Sequence, residues 1–505
     1  MLKKRIKYSI SLLLSVCILL SVSYKSSIGQ ETNNWEYNVS QTEKNYTVDN
    51  IPKKVLKEIT KHIKGFQYIP GGTFIMGESD NFDQFSDSDS TLLLYNTPRR
   101  VTVPSFYICD HEVTNAEYRE FVNWVRDSIA RELLADAGYE NYRNNETGKI
   151  LRDLKIDWNS EKEEYRESLS PLYISSEELY YRKKEFDNTK LVYTLNTSNE
   201  GKNSISVYPD TLVWIRDNKA YSYNESLSKM YFWHSSYDNF PVVGISWEQA
   251  EAYCIWKTNQ IKEALLNSKN NDNVFPEIIL PTEAQWEYAS LSIIEQNTTE
   301  AGEINQNIYP WNQSGLQDSR GNYLANFGPI TDQNGFKIKS FSENKTELKN
   351  KESDYLFTTP IKSFPANNFK LYDMGGNVAE WVFDYASSIY SNDYEILGMD
   401  SLIVNVNDDL QTAFDKIATR NSSLNSAGPD ITNKFYVERL MLQAKKEMHD
   451  AKVLDAIKNG RIVKGGSWIS RPRNLQCSGR EVFSQNKQSA FIGFRIAMKI
   501  PTADE

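Results

Sequence analysis

The sequence predicts a single α+β domain interrupted by two long insertions, on three observations. Short apolar runs bounded by glycine pairs lie near both ends of the chain, at 66–77 and 461–498, and read as strands and turns. Three amphipathic stretches that open on Thr114, Ser246 and Thr282 read as capped helices. Two segments, 127–240 and 387–460, break the pattern: the first is rich in charge and Tyr with no clear period, and the second carries one long helical pattern.

The chain has 505 residues. At roughly 150 residues per domain that allows about three domains, or one large domain with insertions. Hydrophobic residues make up 40%, and 22 Phe, 30 Tyr and 11 Trp can fill a sizeable core, which excludes a disordered chain. A formal net charge of −10 argues against a nucleic-acid partner held through phosphates, since such proteins carry a broad basic excess. Four cysteines are too few for a disulfide scaffold. The four histidines, His62, His111, His234 and His449, lie far apart, and no HExxH or CxxC spacing exists, so a zinc site has little support.

The elements follow in order. Residues 1–23 read as an export signal: Lys3, Lys4, Arg5 and Lys7 precede an apolar run from Ile10 to Val22, and Ser21-Val22-Ser23 offers a small-x-small cleavage site. That run is short for a membrane span. Cys17 is a candidate for lipidation, although Val16 precedes it where a small residue is usual and it sits inside the apolar run. If the signal is removed, Cys109, Cys254 and Cys477 remain, an odd number that leaves at least one free thiol or one pair with another chain. Residues 24–64 read as a polar tether followed by a short helix carrying Val55, Ile59 and Ile63.

The first core segment spans 65–126. Phe66 to Gly77 reads as a hairpin about Gly71-Gly72, Val101 to Ile108 as a strand, and Thr114 with Glu117 as a capping box before a helix with Tyr118, Phe121, Val122 and Val125 on its apolar face. The first insertion is 127–240. The second core segment, 241–386, holds two more capped helices, Ser246 with Gln249 and Thr282 with Gln285. The second insertion, 387–460, contains a helix over 435–457 with Leu440, Met441, Met448, Val453, Leu454 and Ile457. The third core segment, 461–505, closes on strands at 461–463 and 491–498.

Six motifs in order resemble the formylglycine-generating-enzyme (sulfatase-modifying factor) family: Pro70-Gly71-Gly72-Thr73-Phe74-Ile75-Met76-Gly77, Glu112-Val113-Thr114-Asn115-Ala116-Glu117-Tyr118, Pro241-Val242-Val243-Gly244-Ile245-Ser246-Trp247, Leu280 to Ala289, Gly375-Gly376-Asn377-Val378-Ala379-Glu380-Trp381 and Lys464-Gly465-Gly466-Ser467-Trp468. The resemblance implies a compact α+β formylglycine-generating-enzyme fold, related to C-type lectins, with little regular secondary structure and bound calcium. Calcium takes several oxygen ligands. By the resemblance one site would use Asp373 and Glu380 through side chains and Gly376 and Val378 through carbonyls, with Asp373 standing where the family usually has Asn. A second would use Asn326, Phe327, Asn334 and Phe336, with Asn334 replacing an acid. The plainer reading is that Asp373 and Glu380 cap or pair locally.

The family's oxidases hold copper with two cysteines after the Gly-Gly-Ser-aromatic motif, because soft sulfur selects Cu(I). The matching positions are Ser470 and Leu475, so the resemblance implies no copper and no oxidase activity here. Cys477, nearby, reads as a small buried residue. No Ser/His/Asp arrangement suggests itself, because the histidines read as standing beside none of the motifs. Arg480, Glu481 and Asp384 read as core ion-pairing charges.

Within the family, the run from Ser105 to Arg131 is similar to the PorK/GldK lipoproteins of Bacteroidetes. That implies a structural subunit of a ring at the periplasmic face of the outer membrane in type IX secretion and gliding motility, self-associating and binding a PorN/GldN-like partner. The GldJ branch, a calcium-dependent glycan binder and an exported formylglycine-type oxidase are the alternatives. The twelve tyrosines of 127–240 are candidate interface residues, and removing that segment is expected to abolish assembly while the core still folds.

Overall fold

The computed structural model describes residue 49 and residues 51–499, apart from 78–97, 145–147, 149, 152–153, 176–184, 198–200, 218–224, 269–273, 293–307, 312–314, 329–356, 387–402, 406–407 and 425–433. The export signal, Cys17, Asn334 and Phe336 lie outside these residues. Among the described residues no helix is long and apolar enough to cross a membrane.

The first described helix is α1 (Lys53–His62), which buries Val55 and Ile59. The hairpin expected about Gly71-Gly72 does not form. β1 (Phe66–Ile69) and β2 (Gly72–Met76) enter different sheets. The stretch expected as one strand over 101–108 is divided in the same way, at Pro104, into β3 (Arg99–Val103) and β4 (Phe106–Cys109). β1 pairs antiparallel with β4, from Phe66 opposite Cys109 to Ile69 opposite Phe106, and β2 pairs antiparallel with β3. The two breaks lie side by side. A Cβ on Gly71 would stand 2.8 Å from the Ser105 nitrogen, and one on Gly72 would strike the Tyr288 hydroxyl. The glycine pair therefore permits close passage between two sheets rather than a tight reversal.

α2 (Asn115–Asp136) follows, with the Thr114–Glu117 capping box formed as the sequence predicts. Its first half buries Tyr118, Phe121, Val122 and Val125. Its second half runs into the first insertion, where Ala130 and Leu134 pack with Ile156, Tyr165, Leu169 and Leu172 in a separate cluster that includes a residue of α3 (Glu163–Ser168). β5 (Val192–Thr197) and β6 (Gly201–Ser206) form a two-stranded sheet. α4 (Val213–Arg216) and α5 (Glu225–Met230) then contribute Val213, Trp214 and Leu227 to a cluster with Tyr231, Val243, Val378 and Trp468. Val213, Trp214, Leu227, Tyr231, Tyr237 and Phe240 are thus packed with residues of the second and third core segments.

α6 (Trp247–Asn267) and α7 (Glu283–Leu291) both carry the capping boxes read from the sequence. β7 (Glu277–Ile279) lies between them. β8 (Ala379–Tyr385) follows the Gly375-Gly376 motif. In the second insertion α8 (Leu410–Leu424), which the sequence pattern did not suggest, pairs with α9 (Lys434–Asn459) through Val404, Ala413, Ile417, Leu440 and Ala444. The side chains of Val453, Leu454 and Ile457 lie outside the described set.

β9 (Gly460–Lys464) and β10 (Arg480–Ser484) pair antiparallel. The strand expected over 491–498 is two: β11 (Ile492–Gly493) and β12 (Ala497–Lys499). Between them the chain turns Arg495 into the interior, which is why one continuous strand is not possible. The main sheets have the orders β1-β4-β12-β7 and β10-β9-β8-β11, the latter closed by a parallel β8–β11 pair. The central core joins Phe74, Phe106, Ile108, Trp286, Val382 and Ile462. Among the described residues Cys109, Cys254 and Cys477 are buried free thiols.

Candidate functional site

The polar centre of the fold forms where the end of β4, the Gly375-Gly376 loop and the link between β11 and β12 converge. Glu112 is fully buried, and its two oxygens accept from the Val378 N–H (3.1 Å) and the Asn377 side-chain amide (2.7 Å). Asn377 is held in turn by Thr359, whose N–H donates to its Oδ1 at 2.8 Å. Glu380, at the start of β8, is gripped by Arg495 through Nε and Nη2, both at 2.6 Å, and by the Trp286 indole at 2.7 Å. Arg495 also donates to the carbonyls of Tyr372 (2.9 Å) and Cys109 (3.2 Å). Asp373 accepts from the Lys362 N–H at 2.7 Å through Oδ2, while its Oδ1 is buried without a hydrogen-bond partner.

Asp373, Lys362 and Asn377 all have left-handed backbone, with φ of 54°, 64° and 60°. Each such non-glycine residue costs on the order of 1–3 kcal/mol, and such strain gathers at functional sites. Three carboxylates share this interior with one guanidinium. Burial, then repulsion from Asp373 and Glu380, pushes the Glu112 carboxyl well above its ordinary range. Burial raises Asp373 to about 6.

The sequence-derived calcium residues are therefore brought together in part. Asp373 and Glu380 share the buried centre, beside Gly376 and Val378. Asp373 supplies an orphaned buried carboxylate oxygen, a donor type that fits a hard cation. Glu380 pairs with Arg495, a partner 115 positions away rather than a local one, and would hold a cation only by sharing oxygens with that guanidinium. Asn326 adjoins the same loop: its carbonyl accepts from the Asn377 N–H at 2.8 Å, and its side-chain amide donates to the Phe357 carbonyl. Gly376 has φ +87°, and a Cβ there would lie 2.3 Å from the Asn326 carbonyl oxygen. Phe327 is buried with Tyr309, Ala325 and Leu475.

The positions that resemblance assigns to copper do not fit that metal. Ser470 accepts the Ser467 N–H at 2.9 Å and lies 3.0 Å from the Ser467 hydroxyl. Leu475 is fully buried beneath aromatic rings, with Tyr309 stacked on Trp311 at 4.9 Å between centroids. Cys477 is buried, and burial pushes its thiol up to about 12, which keeps it neutral and unreactive. Arg480 does form a core ion pair, with Glu283 at 2.9 Å. Asp384 instead accepts the Glu283 N–H at 2.6 Å.

Sequence reasoning missed two features. Glu112 stands in one of the six motifs, yet its role depends on residues more than 260 positions away. His111 directly precedes that motif, contrary to the expectation that no histidine adjoins one. Cys109, Asp110 and His111 bring three ligand-type atoms within 4.8 Å of one another. The tyrosines of the first insertion also need correction as surface candidates. Tyr139, Tyr142, Tyr165 and Tyr173 pack in the insertion's own cluster, while Tyr231 and Tyr237 pack against the core. Tyr180, Tyr181, Tyr221 and Tyr223 lie outside the described residues.

The family model for the sulfatase-modifying factor enzyme 1-like domain matches residues 52–500. The formylglycine-generating enzyme of Mus musculus is 24% identical over 318 residues, which cover 63% of this chain and 57% of that protein. The inactive C-alpha-formylglycine-generating enzyme 2 of Bos taurus is 28% identical over 143 residues, covering 28% of this chain and 32% of that protein. The structure of PvdO from Pseudomonas aeruginosa aligns with 86% of this chain and 94% of that chain at 15% identity and a TM-score of 0.34. The chain thus spans 57% of the length of the mouse enzyme.

Proposed function

The chain belongs to the sulfatase-modifying factor enzyme 1-like domain family, and from that premise we propose that it is a non-catalytic structural subunit rather than an oxidase. Relatives include formylglycine-generating enzymes and an inactive paralogue, so membership alone does not assign activity. The observation that carries the proposal is Leu475: an apolar side chain, fully buried in an aromatic cluster, stands at a position that the resemblance assigns to a soft copper ligand. Ser470 at the partner position is a poor soft ligand and already engages Ser467.

The similarity of residues 105–131 to the PorK/GldK lipoproteins supports the finer reading. In it, the protein is exported to the periplasmic face of the outer membrane, self-associates into a ring with a PorN/GldN-like partner, and serves type IX secretion and gliding motility. Calcium is the proposed cofactor, at the buried centre around Asp373, where it would add structural cross-linking and no chemistry. Copper-loaded protein incubated with a cysteine-containing sulfatase-type peptide is expected to yield no formylglycine by mass spectrometry. Stoichiometric, copper-dependent conversion of the peptide overturns the reading.

A further inference from the structure

A second polar cluster lies on the other side of the β4 terminus from Glu112. Cys109 Sγ is 3.5 Å from His111 Nδ1 and 3.9 Å from Nε2. Asp110 Oδ1 is 2.5 Å from Nδ1, and Glu117 Oε1, from the first turn of α2, is 3.4 Å from Nε2. Cys109, Asp110 and His111 are 2%, 7% and 5% exposed. We propose that Cys109, Asp110 and His111 bind a divalent late transition metal of the zinc class through Sγ, Oδ1 and Nδ1, with Glu117 holding the other imidazole nitrogen from outside.

The donor set carries the assignment. One thiol sulfur, one imidazole nitrogen and one carboxylate oxygen form a mixed set that suits zinc and its neighbours better than calcium or magnesium. Metal–ligand bonds of about 2.0–2.3 Å imply ligand–ligand edges of about 3.3–3.7 Å in a tetrahedron. The Sγ–Nδ1 separation already has that length. The Asp110–His111 edge is a hydrogen bond and opens by less than about 1 Å when a metal replaces the proton it shares. The exchange balances: the cation enters, the thiol and the imidazolium each release a proton to solvent, and no redox step occurs.

The backbone is shaped around this cluster. Asp110 N–H donates to the Gly65 carbonyl at 2.8 Å, and Gly65 has φ +86°. A Cβ on Gly65 would lie 2.4 Å from Asp110 Oδ1 and 3.0 Å from His111 Cε1, so only glycine leaves the space open. The Cys109 thiol approaches the Lys64 carbonyl at 3.6 Å, a further oxygen at the rim. Lys362 Nζ lies 2.8 Å from Asp110 Oδ1 and 3.0 Å from Oδ2. It holds that carboxylate from outside through Oδ2 when Oδ1 turns to a metal, as outer partners of metal ligands do. Glu117 and Lys362 are the partly exposed residues beside the cluster. The inference does not depend on the calcium reading, because that centre offers no sulfur.

Cobalt(II) is a suitable probe. The full chain, stripped with chelator and held in excess calcium, is titrated with cobalt and then with zinc. The expected result is one equivalent of cobalt with a sulfur-to-cobalt charge-transfer band, bleached by zinc. The band is expected to vanish in Cys109→Ser, to weaken in His111→Gln, and to persist in Cys254→Ser and Cys477→Ser. Circular dichroism of each variant confirms folding, and if Cys109→Ser does not fold, His111→Gln decides. No band in the folded wild type, or a band that survives both Cys109→Ser and His111→Gln, identifies the cluster as a metal-free ion-pair network and overturns the proposal.

Discussion

Asp373 joins three costs in one side chain: burial, left-handed backbone and an unpaired oxygen. Its folded value of about 6 lies above its ordinary value of 3.8, so the native state binds this proton more tightly than the unfolded chain. The stability it contributes is greatest at low pH and is lost as pH rises from about 4 to about 6. Asp373→Asn should flatten that part of the stability–pH curve in metal-free protein, as read by urea unfolding, and should also blunt any calcium-induced rise in melting temperature. Arg495 makes the opposite kind of contribution. It neutralises Glu380 and satisfies two carbonyls, so Arg495→Ala leaves a buried carboxylate unpaired. A loss of about 3–5 kcal/mol in unfolding free energy is expected, and Arg495→Ala with Glu380→Gln should recover some of it. Asp373 and Glu380 were legible as a pair because they flank or stand in one of the motifs that carry the family resemblance. Glu112 was not, because its partners Asn377 and Val378 are remote in sequence and only the fold brings them near.

At the level of elements, local chemistry was readable and non-local pairing was not. All three capping boxes form, since Thr114, Ser246 and Thr282 each find the residue three positions on. Thr114→Ala is expected to cost about 1 kcal/mol in thermal or urea unfolding, with helix α2 still present by circular dichroism. The strands were located but wrongly joined. Pro70-Gly71-Gly72 reads locally as a turn, yet β1 and β2 leave it for different sheets because their partners β4 and β3 are themselves divided at Pro104. The same cause divides 491–498: Arg495 is drawn to Glu380, 115 positions away in sequence. Helix α8 escaped notice because its buried residues, Ala413 and Ile417, make only a narrow stripe within a polar run.

Across the whole molecule, the first insertion is two things. Ala130, Leu134, Ile156, Tyr165, Leu169 and Leu172 build a small cluster of their own, whereas Trp214 and Tyr231 belong to the core. Removing all of 127–240 therefore strips large side chains from beneath Trp468 and Val378, and the shortened chain is expected to lack a cooperative thermal transition rather than to fold without a partner. Among the described residues the exposed apolar surface of this segment includes Leu212, Ile215, Met230 and Trp233, which are 62%, 48%, 49% and 44% exposed, with Leu151 and Leu154 at 39% and 38%. The acidic balance and the replaced cysteine positions were visible in the sequence alone. The burial of Leu475 under aromatic rings required the fold. In the proposed function this family domain serves as a ring scaffold in place of an oxidase. Its most direct test is electron microscopy of assemblies purified from the outer-membrane fraction on the tagged full-length chain. Large rings that also contain a PorN/GldN-like protein are expected; dispersed single particles with no such partner would overturn the ring-scaffold proposal.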